Sequence, residues 1–457
     1  MKLNNKRTIL VGLAFLSIYA FWQMYDNVVP LILSNTFHLN ESWTGVVMAA
    51  DNALALFLLP LFGGLSDKVH TKIGRRMPFI LGGTALAVVL MNVLPQLARS
   101  YYLAPDAGMQ LAFVVVLGLL LVAMGTYRSP AVALMPDVTP KPLRSKANAI
   151  INLMGAIGGI VYLGVAAVLY SAKNVEANYT LGSFVDAAGK TVAVVDYTVL
   201  FAVVSALMVA AIVVLFVTIR EPKLAAENRA YEAAHPEETL TQTTEDGKET
   251  LPREVKRSLG FLLASIALWF IGYNGVSTWF TTYVSRVMGE GLGGASTCLL
   301  VGTAGAIVSY IPIGAVASKI GRRKVILAGA GLLTTCFVVG YFVTVNATAI
   351  TPFMYVLFAL VGLAWASINV NSLPMVVEMC KGSEVGKFTG YYYTFSMIAQ
   401  VVTPIAVGTL LNRIGYQTLF PYAAFFVGCS FVTMLMVRHG DNKVTAKKGL
   451  EAYDVED

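Results

Sequence analysis

The sequence predicts an all-α membrane protein with twelve transmembrane helices arranged in two six-helix halves. The 457 residues are 56% hydrophobic and only 13% charged, with a mean hydropathy of +0.68, which leaves too little polar surface for a water-soluble chain of this length. Apolar runs of about 20 residues recur along the chain, and each is long enough to cross a bilayer as a helix. A charged segment near residue 70 returns at the corresponding place in the second half.

The apolar runs are too long and too continuous to be strands of a closed barrel. Helices are then the remaining way to satisfy the backbone hydrogen bonds in lipid. The predicted spans cover residues 9–33, 43–64, 77–98, 111–135, 147–170, 198–219, 259–283, 296–317, 325–345, 351–376, 388–411 and 416–437.

The connections between these spans alternate in charge, and the alternation gives the predicted orientation. Lysine and arginine cluster on the side that holds both termini, the central loop and the two charged segments, and are sparse on the other side. By the positive-inside rule the basic side, and with it both termini, is cytoplasmic. We attribute the net charge of +7 to this topology and to contact with the lipid bilayer, not to a nucleic-acid surface.

One long hydrophilic connection divides the chain. Residues 220–257 are charged and rich in Thr and Glu, and they are too poor in apolar residues to build a core. We interpret them as a cytoplasmic linker, with room for a short surface helix, between an N-terminal six-helix bundle (1–219) and a C-terminal six-helix bundle (258–440). Residues 441–457 are predicted to be a cytoplasmic tail.

The charged segment is GGLSDKVHTKIGRRMPFI at residues 63–80, and its shorter version is GAVASKIGRRKVIL at residues 314–327. The first follows the second span and the second follows the eighth, so the two halves are predicted to share one architecture. Glycine permits close helix approach, and Arg or Lys can cap helix C-termini or pair with carboxylates. We expect Asp67 to belong to a latch that changes partners as the halves move. Three lysines are interpreted as orientation signals only: Lys72, Lys319 and Lys324.

These features resemble the major facilitator superfamily. Its loop motif, G-x-x-x-D-[RK]…G-R-R, is matched by Gly63, Asp67, Lys68, Gly74, Arg75 and Arg76. The long insert before Gly74 and the Pro-Phe-Ile ending are similar to sucrose transporters and to the related glycoside–pentoside–hexuronide symporters. Residues 127–159 also resemble that branch, with departures at Ser129 and Val132. In the C-terminal half only the shorter repeat carries the resemblance, and Ser318 stands where an Asp is expected.

The resemblance implies a cytoplasmic gate built from the charged segments. Asp137, at the end of the fourth span, is expected to pair with Arg75, Arg76 or Arg144. Ser318 predicts a C-terminal latch that is weaker or closed by other bonds. The expected gate residues are Gly63, Asp67, Gly74, Arg75, Arg76, Asp137, Arg144, Gly314, Gly321, Arg322 and Arg323.

Three ionisable residues lie at membrane depth, where a charge is a candidate for function. Arg128 is in the fourth span, Asp26 in the first and Asp51 near the middle of the second. The resemblance places spans 1, 4, 7 and 10 around a central water-filled cavity. A carboxylate that alternately gains and loses contact with an arginine can take up and release a proton, so we predict Asp26 as the proton carrier with Arg128 as its partner. Asp51 is the second candidate, and a static buried ion pair is the alternative.

Sodium coupling is a further alternative. Melibiose carriers place carboxylates in the second span just before the charged loop, and the matching positions here are Leu59 and Ala55. Their apolar side chains do not supply the oxygen ligands that Na⁺ requires, which favours proton coupling.

Sugar recognition needs hydroxyl-bonding groups and flat apolar faces, and the expected cavity spans offer both. Packing and interfacial positions are the alternative for the aromatic residues. The predicted substrate-binding residues are Trp22, Gln23, Tyr25, Asn27, Tyr273, Asn274, Trp365 and Asn369.

These observations predict a secondary active transporter that imports a sugar, such as a disaccharide glucoside, by proton symport with alternating access. The plasma membrane, in particular a bacterial cytoplasmic membrane, is the expected location. A proton-coupled exporter is the main alternative, although the glycine run of the fifth span lacks the proline common in exporters of the superfamily. No cluster of His, Cys or Asp and no phosphate loop is apparent, so we expect neither an enzyme nor a cofactor or metal site, and no obligate protein partner. The four cysteines are interpreted as buried thiols.

Overall fold

The computed structural model describes residues 3–140, 143–186, 189–234, 252–379 and 385–441. Twelve helices in these residues are long and apolar enough to cross a membrane, which confirms the predicted number of spans. We number them span 1 to span 12. Spans 1 and 7 each continue into a π-helical turn, at Ile32–Thr36 and Val284–Met288. The helices are Asn5–Leu31, Glu41–Lys68, Met77–Leu103, Ala107–Val138, Arg144–Leu169, Thr198–Thr218, Arg253–Tyr283, Leu292–Ile320, Arg322–Thr344, Pro352–Glu378, Val385–Arg413 and Leu419–Leu435.

Local signals mark where several helices begin. The side chains of Asn4, Asn40 and Asp106 precede spans 1, 2 and 4, and each accepts a hydrogen bond from a backbone N–H three residues later. This satisfies a donor that the helix itself leaves unpaired. Pro352 opens span 10, where its missing N–H is not needed.

The packing repeats from one half to the other. In the first half, span 1 packs on spans 5 and 6, and both span 2 and span 3 pack on span 4, with span 3 also on span 6. The same five pairings recur among spans 7 to 12, and each half has its own buried core. The internal repeat predicted from the two charged segments therefore corresponds to a repeated helix arrangement.

The two ends of the bundle differ, and we name them by their contents. The charged end carries the 2–3 and 8–9 connections and the start of span 1. The hairpin end carries two antiparallel strands in the 5–6 connection, β1 (Thr180–Val185) and β2 (Thr191–Val195). These strands were not predicted and are the one addition to the expected helical fold in the described residues. Val192 and Val194 alternate with exposed neighbours and are buried under the hairpin.

The halves meet closely at the hairpin end. A β-carbon at Gly45 of span 2 would collide with the backbone carbonyl of Pro404 in span 11, and one at Gly408 would collide with the carbonyl of Glu41. Gly293 of span 8 donates its N–H to the carbonyl of Tyr170 after span 5, at 3.1 Å. Glycine at these positions lets backbones of opposite halves touch, so the hairpin end is closed in this conformation.

The first part of the predicted linker is a helix, Glu221–Ala234, that packs on the N-terminal half near span 4. Asn228 donates to the backbone carbonyl of Asp137 at 3.2 Å, and Arg144 contacts the Glu232 carboxylate at 3.1 Å. The rest of the linker, 235–251, and the predicted tail from residue 442 lie outside the described residues. We call Glu221–Ala234 the docking helix.

Glu221 attaches the docking helix to the start of span 3. Its carboxylate is 2% exposed and accepts hydrogen bonds from the backbone N–H groups of Arg75 (2.7 Å), Arg76 (3.0 Å) and Met77 (2.9 Å). Gly74 has φ +120°, and a β-carbon there would collide with this carboxylate. A negative charge is favoured at a helix N-terminus because several unpaired N–H groups converge there.

We expect Glu221→Gln to destabilise the protein. The amide has one acceptor oxygen and no charge, so at least one N–H at the start of span 3 loses its partner, with a loss on the order of 1–3 kcal/mol. Thermal unfolding in detergent should show a lowered midpoint. The control is Glu227→Gln on the same helix, where the exposed carboxylate forms a loose ion pair with Lys223, at 4.0 Å. Equal midpoints for the two variants would contradict the capping role of Glu221.

Candidate functional site

A network of charged side chains occupies the charged end of the N-terminal half. Arg75 donates from Nε to Asp137 at 3.0 Å, and Arg76 donates from Nε to the same carboxylate at 2.8 Å. Arg76 also contacts Asp67 at 2.5 Å. The hydrogen bond to Asp137 raises the pKa of Arg75 above its usual value. The pairing of Asp137 with Arg75 and Arg76, expected from the sequence, is present, and all four residues belong to one half.

The C-terminal half holds a reduced counterpart of this network. Arg322 forms an ion pair with Glu378 at the end of span 10, the place that Asp137 takes at the end of span 4. Asp441 accepts a hydrogen bond from the backbone N–H of Arg322 at 2.6 Å, as Glu221 does at the start of span 3. Gly321 has φ +97°, and a β-carbon there would meet the Asp441 carboxylate. Arg323 donates to the Leu435 carbonyl at 2.8 Å.

Other expected gate residues have different surroundings. Ser318 stands where an Asp is expected, and it supplies no carboxylate to the network. Its hydroxyl donates to the carbonyl of Ala315 at 2.8 Å instead. A β-carbon at Gly63 would approach Ser129, whereas one at Gly314 meets nothing within 4 Å, so the close approach expected at Gly314 is absent. Arg144 donates to the carbonyls of Pro136 (3.0 Å) and Thr139 (3.1 Å), which fixes the turn between spans 4 and 5.

A cavity of about 200 Å³ lies between the halves at the middle of the spans. One wall is an aromatic pair in which Tyr273 stacks on Trp365, with ring centroids 3.8 Å apart and planes 10° from parallel. Phe270 meets the edge of Trp365 at 5.4 Å and supports it. Gln23 of span 1 and Asn369 of span 10 also line the cavity. It therefore offers a flat apolar face beside amide groups.

A second cavity, of about 260 Å³, continues toward the charged end. Arg128, Pro136 and Asn148 line it, and Tyr19 and Asn152 line both cavities. The two cavities therefore adjoin, and we refer to them together as the path that extends from the middle of the spans toward the charged end. Together with the closed hairpin end, this describes a protein whose central cavity faces the charged end.

Arg128, Asp51 and Asp26 form an electrostatic group beside this path. Asp51 interacts electrostatically with Arg128, and Asp26 with Asp51. The Arg128 guanidinium lies 5.8 Å from the Trp22 ring, and Asn52 donates to Asp51 at 2.9 Å. Arg128 forms no ion pair within 4.0 Å in the described part of the chain. The expected Asp26–Arg128 pair is thus not formed in this conformation, and the carboxylate that acts on Arg128 is Asp51.

Half of the predicted substrate-binding residues do not line the central cavity. Tyr25 and Asn27 are buried in the N-terminal half, where Tyr25 packs edge-on against Trp22 at 5.5 Å. The side-chain N–H groups of Asn27 and Asn274 have no hydrogen-bond partner within the described residues. Gln23, Tyr273, Trp365 and Asn369 are the predicted residues that reach the cavity.

Spans 5 and 8 supply cavity residues that the sequence analysis missed. Asn152 comes from span 5, and Thr303 and Tyr310 come from span 8. The signal was present: Asn148 and Asn152 are one helical turn apart in an otherwise apolar run, and Thr303 and Tyr310 are two turns apart. The resemblance implies a cavity lined by spans 1, 4, 7 and 10, and it does not identify spans 5 and 8.

Comparison with known proteins agrees with this architecture. A sequence model described as the Major Facilitator Superfamily matches residues 11–311 and 294–452. The sucrose transport protein SUC3 of Arabidopsis thaliana is 28% identical over 138 residues, which are 28% of this chain and 23% of that protein. SUC4 of the same plant is 30% identical over 131 residues, which are 26% of this chain and 25% of that protein. The chain thus matches about a quarter of the length of these relatives.

Solved structures show the same fold at low sequence identity. The nucleoside transporter NupG superposes with a TM-score of 0.65 at 13% identity, covering 94% of this chain and 100% of that one. A POT family transporter in complex with 5-aminolevulinic acid gives 0.66 at 9% identity, covering 94% and 95%. With the family match across both halves and the twelve spans, this chain belongs to the Major Facilitator Superfamily and is a multi-pass membrane transporter.

Proposed function

We propose that this transporter imports a sugar, such as a disaccharide glucoside, together with a proton across the plasma membrane. The observation that carries the proposal is the central cavity, where the Tyr273–Trp365 stack faces the amides of Gln23, Asn152 and Asn369. Aromatic faces stack on the C–H faces of a sugar ring, while amides and hydroxyls bond its hydroxyl groups. The partial similarity to two sucrose transport proteins supports the same substrate class.

The electrostatic group beside the path supports proton coupling. Arg128 lines the charged-end cavity, and Asp51 and Asp26 lie within electrostatic reach of each other. A rearrangement that brings Arg128 closer to either carboxylate stabilises its ionised form and releases a proton, and the reverse movement takes one up. Asp26 and Asp51 are both candidates for the carrier, with Arg128 as the group that controls it.

In this proposal, transport proceeds by alternating access of the central cavity to the two sides of the membrane. The positive-inside rule assigns the charged end to the cytoplasm, so the present conformation is open to the inside and closed to the outside. Inward release of sugar and proton would be followed by movement of the two halves about the central cavity. Arg75, Arg76, Asp67 and Asp137 in one half and Arg322 in the other would form the cytoplasmic gate when that end closes.

Uptake into proteoliposomes tests the coupling. Labelled sucrose and maltose should accumulate when an inward pH gradient is imposed, and accumulation should be lost in Asp26→Asn or Asp51→Asn, whichever removes the proton carrier. Sodium-driven accumulation in place of proton-driven accumulation would refute the inference drawn from Leu59 and Ala55. Failure of both sugars with either gradient would instead favour the export of another metabolite.

The aromatic stack gives a second prediction. Trp365→Ala removes the ring that contacts the sugar in this proposal, and we expect the KM for sugar to rise roughly two- to tenfold, since aromatic stacking contributes about 0.5–1.5 kcal/mol. Trp43→Ala is the matched control, because Trp43 is 61% exposed and lies in the first turn of span 2, at the hairpin end and away from the central cavity. A KM that changes equally in both variants, or in neither, would contradict the assignment of the stack to the substrate.

A further inference from the structure

At the hairpin end the two halves also contact each other through side chains that bind helix ends. Span 1 and span 7 occupy corresponding places in the two halves, and each ends there in a π-helical turn. The last carbonyl groups of any helix lack partners within the helix and carry the negative end of its dipole. In this protein, each of these two helix ends receives a basic side chain from the opposite half.

Arg286 of the C-terminal half reaches the end of span 1. It donates from Nη2 to the Ser34 carbonyl at 2.9 Å, and its guanidinium lies 5.1 Å from the Phe184 ring on strand β1. The His38 ring also packs on Phe184, nearly perpendicular to it, with the two ring centroids 4.6 Å apart. Asn35 adds a hydrogen bond to Ser285 at 3.2 Å.

Lys190 of the N-terminal half makes the reciprocal contact. It precedes strand β2, and its ammonium group donates to the Val287 carbonyl in the last turn of span 7. The hairpin therefore crosses from its own half to the other in two places, through Phe184 and through Lys190. Because each base completes a helix end of the opposite half, separation of the halves leaves both helix ends uncapped at once.

We propose that Arg286 and Lys190 form a reciprocal clasp that holds the hairpin end closed and so sets the balance between the inward-open and outward-open states. Both are positioning residues, since neither lines the central cavity. The inference rests on the alternating access of the proposed function but is independent of which cargo is carried. Loss of either base removes a contact that exists only in the closed state, so the equilibrium moves toward the open state.

His38 makes the clasp sensitive to acid. Partial burial and the neighbouring Arg286 lower the pKa of His38 below its ordinary value of about 6.5. Arg286 on span 7 acts directly on His38. Glu41 on span 2 and Asp186 on the hairpin act with Arg286 on Tyr416 at the same end, and Lys190 contacts the Val287 carbonyl. Above the ordinary value His38 is neutral in both states; as the pH falls below it, the open state binds the proton more readily and the closed state loses stability. An acidic exterior would thus favour opening toward the outside.

Distances across the hairpin end test the clasp without any substrate. Spin labels are placed at Ala104 and Asn346, which are exposed positions of opposite halves outside the clasp, in a background without native cysteines and in lipid nanodiscs. Double electron–electron resonance should give one short distance for the parent protein. Arg286→Gln and Lys190→Gln should each raise the ratio of long to short distances, on the order of tenfold for Arg286→Gln. Arg413→Gln, at an exposed arginine of the same end, is the matched control.

Unchanged distances in both Arg286→Gln and Lys190→Gln would overturn the proposal, as would an equal shift in Arg413→Gln. Lys190 is exposed, so its variant remains informative if Arg286→Gln does not fold. The acid effect is tested by lowering the pH from about 8 to about 5 in the parent and in His38→Asn, since Asn tolerates the left-handed backbone (φ 52°) of His38. If acidification raises the ratio of long to short distances equally in the parent and in His38→Asn, the acid effect belongs to groups other than His38. Failed sugar uptake with these distance shifts intact would refute the proposed cargo and leave the clasp standing.

Discussion

The structure depends on one constraint at the charged end: the unpaired backbone N–H groups at the start of spans 3 and 9 must be neutralised by carboxylates from distant parts of the chain. Glu221 and Asp441 do this, each beside a glycine whose positive φ leaves room for the carboxylate. Because Glu221 follows span 6 and Asp441 follows span 12, each contact joins the last helix of a half to its third helix. The arginines that follow then pair with the end of span 4 or span 10. Each half is tied into one body in this way.

In the alternating access proposed above, movement is concentrated between the halves. The described network residues Arg75, Arg76 and Arg322 have their carboxylate partners within their own half, whereas the contacts at the hairpin end join opposite halves. A rotation that opens the hairpin end breaks Arg286–Ser34 and leaves the helix pairings of each half intact. The central cavity lies between the two bodies, so the same rotation would change which end of the protein it faces.

Hydrophobic runs were enough to predict the twelve spans, because lipid leaves the backbone few alternatives, and the two charged segments were enough to predict the repeat. The pairing of Asp137 with Arg75 and Arg76 was also accessible, since family motifs place these residues near one end. Glu221 was not recognised, because its three donors lie about 145 residues earlier in the chain and its own surroundings are a hydrophilic run typical of a linker. The cavity was predicted in part. Tyr273 and Trp365 were identified by residue type and depth in the membrane, and both line the cavity. Asn27 and Asn274 were selected on the same grounds but do not line it. In a helix that is apolar on all sides, the periodicity of the sequence does not show which face lines the cavity and which face packs on other helices.

The two networks at the charged end are not equal, and the difference has a mechanical consequence. In the N-terminal half Asp137 binds both arginines, Asp67 adds a second carboxylate, and a third, Glu221, accepts from three backbone donors. In the C-terminal half, Ser318 replaces the residue that would match Asp67, and within the described residues Asp441 accepts from one backbone donor, that of Arg322. Charged hydrogen bonds that converge on one site stabilise one another when shielded from water. Among the described residues, the helices of the N-terminal half are therefore held together by more charged hydrogen bonds at this end. The C-terminal half has fewer such bonds to rearrange when the cavity closes on that side.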